Sequence, residues 1–407
     1  MGVERMERMI ALARQGRFDS EGPAPSIRPD IEKVYALGEA TKHDICVSTA
    51  SPRSVSGIDR IGNVCAGGIC HAYAHDGRCV SMFKTLYTNA CTHECAYCSN
   101  ASCSSRGAVY SYTPHELASL FMDLYRGNYV EGLFLSSGVG ADEYETMASM
   151  VETAEMLRTT YQFQGYVHLK ILPGADRDHI RRAMSVSDRV SVNIEVPSSS
   201  RLSELCATKD FKTDILRRQR YIQRFASKEG APAGQTTQLV VGGAGETDVE
   251  IFKATVREYH KFGLKRVYYS AFTPVPGTIL ESQCMQPAWR EHRLYQMDWL
   301  YRIYHYSSCE LMSAFDCSDH LANTDPKRAI AQASGLNPVD PNTASYDELL
   351  RVPGIGPVSA RRILSVRTRS SIRSRKELAA MGVVMCRASP YLSLGGWHDS
   401  LLARWMA

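Results

Sequence analysis

Residues 82–98 read MFKTLYTNACTHECAYC, in which an apolar, strand-like stretch (82–88) precedes three closely spaced cysteines, Cys91, Cys95 and Cys98. Thiolates are soft ligands that select zinc, cuprous copper or iron–sulfur clusters. A closed structural zinc site needs four ligands, whereas three ligands leave one position open, as a reactive centre requires. The spacing therefore predicts a reactive metal centre at the end of a strand.

A zinc site is the alternative interpretation of the triplet, and it needs a fourth ligand. The nearest candidates in the sequence are His93 and Cys103. The chain has 13 cysteines, of which eight lie between Cys46 and Cys103. Four of them precede the triplet and are candidates for a second metal site: Cys46, Cys65, Cys70 and Cys79. Because their spacing is irregular, reduced and buried cysteines are the alternative.

The other five cysteines are dispersed along the chain. We predict that they are small, buried apolar side chains: Cys206, Cys284, Cys309, Cys317 and Cys386. Metal chemistry is therefore expected in the first quarter of the chain.

Length and composition set the class of protein. The chain has 407 residues, enough for two or three domains, and is 44% apolar and 22% charged, as in ordinary soluble proteins. No run approaches the roughly 18 apolar residues of a membrane helix. Residues 1–20 mix Glu and Arg through the apolar positions and lack the apolar core of a signal peptide. We therefore expect a cytoplasmic protein.

The net charge of +4 is unevenly distributed along the chain. Residues 335–407 contain 10 Lys and Arg against 5 Asp and Glu, whereas the other 334 residues contain 37 against 38. A basic C-terminal segment on a neutral body predicts a polyanionic partner for that segment.

Strand-like runs alternate with helical runs over most of the chain. The six candidate strands are 84–89, 132–137, 166–171, 189–195, 238–241 and 266–272. Helices are predicted between them, for example at 114–126, with Thr113 as N-cap, and at 145–161. Such alternation predicts an α/β fold with parallel strands, and six units favour an open or partial (βα)6 barrel. Functional groups should then gather where the strands run into the following helices.

The cysteine spacing after a first strand resembles the signature of the radical S-adenosylmethionine (radical SAM) superfamily. The resemblance implies that Cys91, Cys95 and Cys98 hold three irons of a [4Fe–4S] cluster and that the fourth iron binds SAM. One electron from the cluster would cleave SAM to methionine and a 5′-deoxyadenosyl radical, which abstracts hydrogen from a substrate. The resemblance also implies an electron donor such as flavodoxin or ferredoxin. By the same resemblance, the cofactor contacts are Tyr97, Ser136, Ser137, Gly138, Asn193, Glu195 and Gly242.

A second motif lies at residues 349–364, which read LLRVPGIGPVSARRIL and resemble a helix–hairpin–helix motif. Its turn can present backbone N–H groups and a helix N-terminus to a phosphate. Aromatic residues are absent between Leu349 and Ala388, which argues against stacking on single-stranded bases. We therefore predict binding to duplex nucleic acid, most readily DNA, through Gly354, Ile355, Gly356, Ser359, Arg361 and Arg362. A packing or protein-docking element is the alternative.

Together, residues of about 30–390 resemble a family of radical SAM proteins described as acting in DNA modification or repair. The predicted domains are an N-terminal extension (1–29), a Cys-rich region (30–80), the radical SAM barrel (81–286), a helical linker region (287–334), an all-α helix–hairpin–helix domain (335–390) and a tail (391–407). We expect an enzyme that modifies or repairs DNA. The alternatives are an enzyme acting on RNA, a peptide or a small molecule, and a non-enzymatic, redox-sensing nucleic-acid binder.

Overall fold

The computed structural model describes residues 30–41, 68–73, 79–105, 107–226, 230–395 and 397–398. The chain divides into two compact units. Unit 1 comprises the described residues up to Glu246 together with Lys253–Gln286, and unit 2 comprises Thr247–Phe252 and the described residues from Pro287 onward. Within these described residues, no helix is both long enough and apolar enough to cross a membrane.

Unit 1 is built on a seven-stranded sheet whose strands follow one another in chain order. The strands are β1 Ile69–Tyr73, β2 Cys79–Leu86, β3 Gly132–Ser136, β4 Tyr166–Lys170, β5 Arg189–Ser191, β6 Gly234–Val241 and β7 Arg266–Ala271. Strand β1 pairs with β2 in antiparallel fashion, and all the other neighbours are parallel. The six parallel strands confirm the predicted partial (βα)6 barrel.

The helices of unit 1 comprise one that precedes the sheet and others that connect its parallel strands. They are α1 Ile31–Glu39, α2 Pro114–Arg126, α3 Glu143–Thr159, α4 Arg177–Val186, α5 Ser199–Leu205, α6 Arg217–Ala226 and α7 Asp248–Phe262, within which the division between the units falls. A π-helical turn, Phe211–Leu216, precedes α6. Helix α2 begins where the sequence predicts, because Thr113 and Glu116 form a reciprocal capping box.

Three of the predicted strands differ from those observed by more than one residue. The predicted strand 238–241 begins four residues earlier, at Gly234. The predicted strand 84–89 lies at Cys79–Leu86, because Asn89 leaves the sheet and donates its N–H to Tyr110. The predicted strand 189–195 ends at Ser191, because the hydroxyl of Thr237 accepts from Ile194 N–H at 3.0 Å and so replaces a backbone partner in the ladder.

The two faces of the sheet differ in polarity. Side chains that point outward, such as Leu133, Leu135 and Val167, are fully buried, as expected where helices cover a parallel sheet. Successive side chains on a strand point to opposite faces, so Ser136 and Lys170 point to the inner face. The outer face is therefore apolar at these positions, whereas the inner face carries polar side chains beside apolar ones such as Phe134.

Unit 2 is mostly helical. Its elements are α8 Ala288–Arg302, α9 Ser308–Met312, α10 Pro326–Ala333, α11 Tyr346–Arg351, α12 Pro357–Arg367, α13 Arg375–Ala380, α14 Met385–Ala388, a 3-10 turn Ser389–Tyr391, and the two-stranded hairpin β8 Ser393–Leu394 and β9 Trp397–His398. Leu349, Leu350 and Ile363 are fully buried in its core, which also includes Tyr391 and Leu392. The core thus reaches beyond residue 390, into the segment that the sequence analysis assigned to the tail.

The prediction that the five dispersed cysteines are buried is wrong for four of them. Cys206 is buried, whereas Cys284, Cys309, Cys317 and Cys386 are exposed. Sequence alone gave no periodicity around these residues from which their burial could be read.

Candidate active site and nucleic-acid interface

The cysteine loop, residues 91–98, is held against the end of β3 by backbone hydrogen bonds. Thr92 N–H donates to Val139 C=O at 2.8 Å, and Val139 N–H points back to the Cys91 sulfur at 3.5 Å. Cys98 N–H closes a turn onto Cys95 C=O at 3.0 Å. The three cysteines therefore lie on a short, tightly folded segment beside the carboxyl end of the neighbouring strand.

All three cysteines line one cavity of about 180 Å³. The cavity is also lined by most of the predicted cofactor contacts, namely Tyr97, Ser136, Ser137, Gly138, Asn193 and Glu195. Its walls come from segments at or beyond the carboxyl ends of the strands, where ligand sites of barrel folds lie. Gly242 is the predicted contact that does not line it.

Gly138 explains why a small residue follows β3. Its N–H donates to Thr88 C=O at 2.7 Å, and a Cβ at this position would lie 2.3 Å from the carbonyl oxygen of Ala90. Any side chain here would push the β3 turn away from the segment that leads into the cysteine loop.

Glu195 is held in an unusual backbone conformation next to the cavity. Its φ is +61°, which is uncommon for a residue other than glycine. Two backbone bonds fix it, from its own N–H to Gln238 C=O at 3.0 Å and from Val240 N–H to its C=O at 2.7 Å. Burial raises the pKa of Tyr97 well above its ordinary value, and the nearby Glu195 carboxylate is the second largest cause of this rise. The Tyr97 hydroxyl therefore stays protonated and donates to Glu195.

The glycine turn after β6 is organised around a carboxylate of the chain itself. Gly242 has a φ of +81°, and its N–H donates to the buried Glu246 carboxylate, which also accepts from Ala244 N–H at 3.0 Å. The amide of Gln283 donates to Gly242 C=O at 3.1 Å. Both polar atoms of the Gly242 backbone are thus used within the protein.

Sequence reasoning missed the residues that follow α5. Cys206 Sγ lies 3.3 Å from Cys95 Sγ, although the two residues are 111 positions apart. The hydrogen bond between the sulfurs raises the pKa of Cys95 well above its ordinary value and lowers that of Cys206 to about 6. Lys209 lines the same cavity, and although desolvation opposes its charge, neighbouring Cys95 and Glu195 raise its pKa. No local sequence pattern marks these residues, so only the fold brings them to the site.

The two candidates for a fourth zinc ligand are placed differently. His93 is buried, its Nδ1 lies 3.2 Å from the Thr208 hydroxyl, and burial lowers its pKa to about 4. Cys103 is exposed. In the part of the chain that the structure describes, no three His, Cys, Asp or Glu side chains are gathered so as to hold a single metal ion. Three thiols that each bind a different iron need no such convergence.

Of the four upstream cysteines, only one has a described side chain. Cys70, on β1, packs in an apolar cluster with Met82 and Phe134. Cys46, Cys65 and the side chain of Cys79 lie outside the described residues.

In unit 2, the predicted hairpin forms the turn between α11 and α12. Gly354 has a φ of +87°, and a Cβ there would lie 2.5 Å from Val384 C=O, so the turn requires glycine. Gly356 is the N-cap of α12 and offers no side chain to cap it, while Pro357 occupies the first turn. The start of α12 therefore presents backbone N–H groups that no capping side chain occupies.

The other predicted contacts of this interface divide into exposed and internal groups. Arg361 and Arg362 are exposed on α12 next to the turn. Ile355 is buried and its N–H donates to Val352 C=O at 3.1 Å. Ser359 is also buried and donates to Gly382 C=O at 2.8 Å. Ile355 and Ser359 are thus used for hydrogen bonds within unit 2, whereas Arg361 and Arg362 are exposed to solvent.

Comparison with protein families gives two matches. Residues 85–271 match the family described as the Radical SAM superfamily, and residues 335–383 match the family described as the helix-hairpin-helix motif. No curated protein matches the chain significantly.

Several solved structures align with part of the chain. Methylornithine synthase (PylB) has 14% identity and a TM-score of 0.43, over 66% of this chain and 68% of that one. HydG, a maturase of the [FeFe]-hydrogenase, has 12% identity and a TM-score of 0.41, over 52% and 47%. The radical SAM methyltransferase TsrM from Kitasatospora setae has 14% identity and a TM-score of 0.37, over 49% and 38%. At such low identities and TM-scores, these similarities give no basis for assigning a substrate.

Proposed function

The chain is an enzyme with a radical SAM domain and a C-terminal helix–hairpin–helix motif, and from this premise we propose that it uses SAM-derived radical chemistry to modify or repair nucleic acid, with duplex DNA as the first candidate. The observation that carries the proposal is the shared cavity, which Cys91, Cys95 and Cys98 line together with Tyr97 of the cysteine loop and five polar or small residues that end or follow other strands. The hairpin supports the choice of a nucleic acid as substrate.

The residues around the cavity fit a [4Fe–4S] cluster with SAM. Three thiols supply three of the four iron ligands, which leaves one iron for the amino and carboxylate groups of SAM. Among the described residues, the buried hydroxyl oxygen of Ser137 has no hydrogen-bond partner, so it is available to a ligand in the cavity. Glu195 places a carboxylate where a cationic sulfonium ligand would be favoured. When bound, the cluster and SAM supply the electron and the radical, and the protein supplies ligation, orientation and exclusion of water.

The chain's own residues perform these supporting tasks. Ser136, Ser137 and Asn193 offer hydrogen bonds that orient a ligand, and Gly138 lets the backbone approach it closely. Leu172, Val240 and Phe272 give the cavity an apolar side, which keeps water from a reactive intermediate.

The cleavage of SAM tests this proposal. Protein reconstituted with iron and sulfide without oxygen, and reduced with dithionite, should convert SAM to 5′-deoxyadenosine, as measured by liquid chromatography. The Cys98→Ala variant should lose this activity because one iron ligand is gone. Cys98 is a better choice than Cys95, whose neighbour Cys206 offers a replacement thiol 3.3 Å away. The exposed Cys309, changed to Ala, is the matched control and should keep full turnover. Equal turnover by the wild type and the Cys98 variant would contradict the proposal.

A further inference from the structure

A segment that no motif covers forms a second wall beside the cysteine loop. This segment, residues 205–209, begins at the last residue of helix α5 and is joined to the loop at several points. Ala96 N–H donates to Leu205 C=O at 2.9 Å, and Glu94 N–H donates to the Thr208 hydroxyl at 3.1 Å. Because these bonds fix both backbones, the side chains of 205–209 keep a constant position relative to the three cysteines.

Cys206 uses this position to contact a predicted iron ligand. Its sulfur lies 3.3 Å from that of Cys95 and 3.4 Å from the Thr208 hydroxyl, and both cysteines are buried and free of disulfides. Thr208 accepts the N–H of Glu94, so its own hydroxyl hydrogen is available to a neighbour. The two sulfurs, both buried, are thus in direct contact.

Iron binding fixes the direction of the hydrogen bond between the two sulfurs. A cysteine that ligates iron does so as a thiolate and has no proton, so its sulfur can only accept hydrogen bonds. The hydrogen bond therefore reverses: the Cys95 S–H donates in the iron-free protein, and the Cys206 S–H donates once Cys95 is a thiolate. Lys209 also stabilises a negative charge on the Cys95 sulfur, because its ammonium lies beside Cys95 and lines the cavity.

We propose that Cys206 and Lys209 are positioning residues which donate to the Cys95 sulfur and thereby raise the reduction potential of the cluster. This inference rests on the proposed function, because it requires a cluster on Cys95. Reduction adds a negative charge to a cluster, and both a hydrogen bond to its sulfur ligand and a nearby cation stabilise that charge. Residues that contact the ligands of a metal centre are known to tune it in this way.

Potentiometric titration followed by electron paramagnetic resonance tests the inference. Lys209→Met removes the cation, and we expect at least a tenfold fall in the ratio of reduced to oxidised cluster at a fixed potential, or 59 mV for one electron. Cys206→Ala should shift the potential in the same direction by a smaller amount. The titrations are made without SAM, so any contact between Lys209 and SAM cannot produce the shift.

Conservative variants separate tuning from simple structural support. Lys209→Arg retains the charge and Cys206→Ser retains a hydrogen-bond donor, so both should return the potential toward the wild-type value. Cys309→Ala should leave it unchanged. Iron content is measured for every variant, and Lys209→Gln replaces Lys209→Met if the latter fails to bind iron.

The outcomes distinguish this inference from the proposed function. Wild-type potentials in the iron-loaded Lys209→Met (or Lys209→Gln) and Cys206→Ala variants would overturn the inference and leave the proposed function standing, provided that the wild type cleaves SAM. A wild type that binds no iron would overturn both.

Discussion

Because Gly138 has no side chain, the turn after β3 can pack closely against the segment that leads into the cysteine loop. The cysteine loop and the turn after β3 approach so closely that a Cβ on Gly138 would lie 2.3 Å from Ala90 C=O. The same carbonyl belongs to the residue just before Cys91. A single methyl group at this position would therefore act directly on the geometry of the first thiol.

We predict that Gly138→Ala reduces both stability and iron content. Inserting a methyl group into a closely packed site typically costs about 1–3 kcal/mol, because the backbone must shift to accommodate it. Chemical denaturation of the iron-free protein measures the first effect, and iron and sulfide assays after reconstitution measure the second. Gly107→Ala is the matched control, since, apart from its chain neighbours, a Cβ at Gly107 would meet no atom of the described residues within 4 Å. Equal iron content in the two variants would contradict the prediction.

At the scale of elements, helix α10 supports the hairpin from outside the matched motif. Lys327, on α10, is buried and donates from Nζ to Ile355 C=O in the turn at 2.5 Å, with its ammonium 4.7 Å from the centre of the Tyr304 ring. Desolvation lowers the pKa of Lys327 to about 7, partly offset by the charge of Asp325. A helix that precedes the motif is therefore part of what fixes its turn.

This burial makes the stability of unit 2 depend on pH. In the unfolded chain Lys327 has an ordinary pKa of about 10.4, so between about pH 7 and 10 the unfolded state binds more protons than the folded state. The free energy of unfolding should therefore rise with pH across this range, by up to about 1.4 kcal/mol per pH unit, and it should level off at its lowest value below pH 7. Below that pH the folded protein must keep a charged ammonium buried.

Urea denaturation at pH 7, 8 and 9 measures the effect as the difference between the wild type and Lys327→Met. We expect the free energy of unfolding of the wild type to rise with pH relative to that of Lys327→Met, because the methionine side chain does not titrate. Other groups of the chain that titrate in this range are present in both proteins and cancel in the difference. Parallel profiles for the two proteins would show that Lys327 keeps its ordinary pKa in the folded state.

At the scale of the whole molecule, we propose that one chain combines a cavity for radical chemistry with a turn that binds phosphate. The charge distribution supports this combination, because the basic excess lies in the segment that contains the turn. Nucleic-acid binding through backbone phosphates depends on salt, since each neutralised phosphate releases counterions. Such contacts position a duplex without reading its sequence.

We predict that the double change Arg361→Ala and Arg362→Ala weakens binding to duplex DNA of any sequence. If each arginine neutralises one phosphate, the slope of log affinity against log salt should fall by about 1.8 in magnitude. Fluorescence anisotropy over a salt series measures the slope, with duplex RNA and single strands as comparison ligands. Arg220→Ala and Arg224→Ala, two exposed positions on α6, form the control with the same loss of charge. An equal change of slope in both double variants would place the binding site outside the hairpin.

Where the determining interactions are local, the sequence predicts this protein well. The spacing of the cysteines, the capping box at Thr113 and Glu116, and the glycines of the hairpin each act within a few residues, so each can be recognised in a short stretch of sequence. The alternation of strands and helices likewise follows from local periodicity, and it led to the partial (βα)6 barrel.

Only the tertiary structure brings together groups that are far apart in the chain. It places Cys206 against Cys95, directs Lys327 to Ile355, and uses the N–H of Gly242 for the carboxylate of Glu246 rather than for the cavity. None of these pairs has a periodicity or a motif, because burial and hydrogen bonding between distant segments are decided by how the elements pack. The sequence alone therefore determined the kind of chemistry to expect, and the packing of the chain decided which side chains surround it.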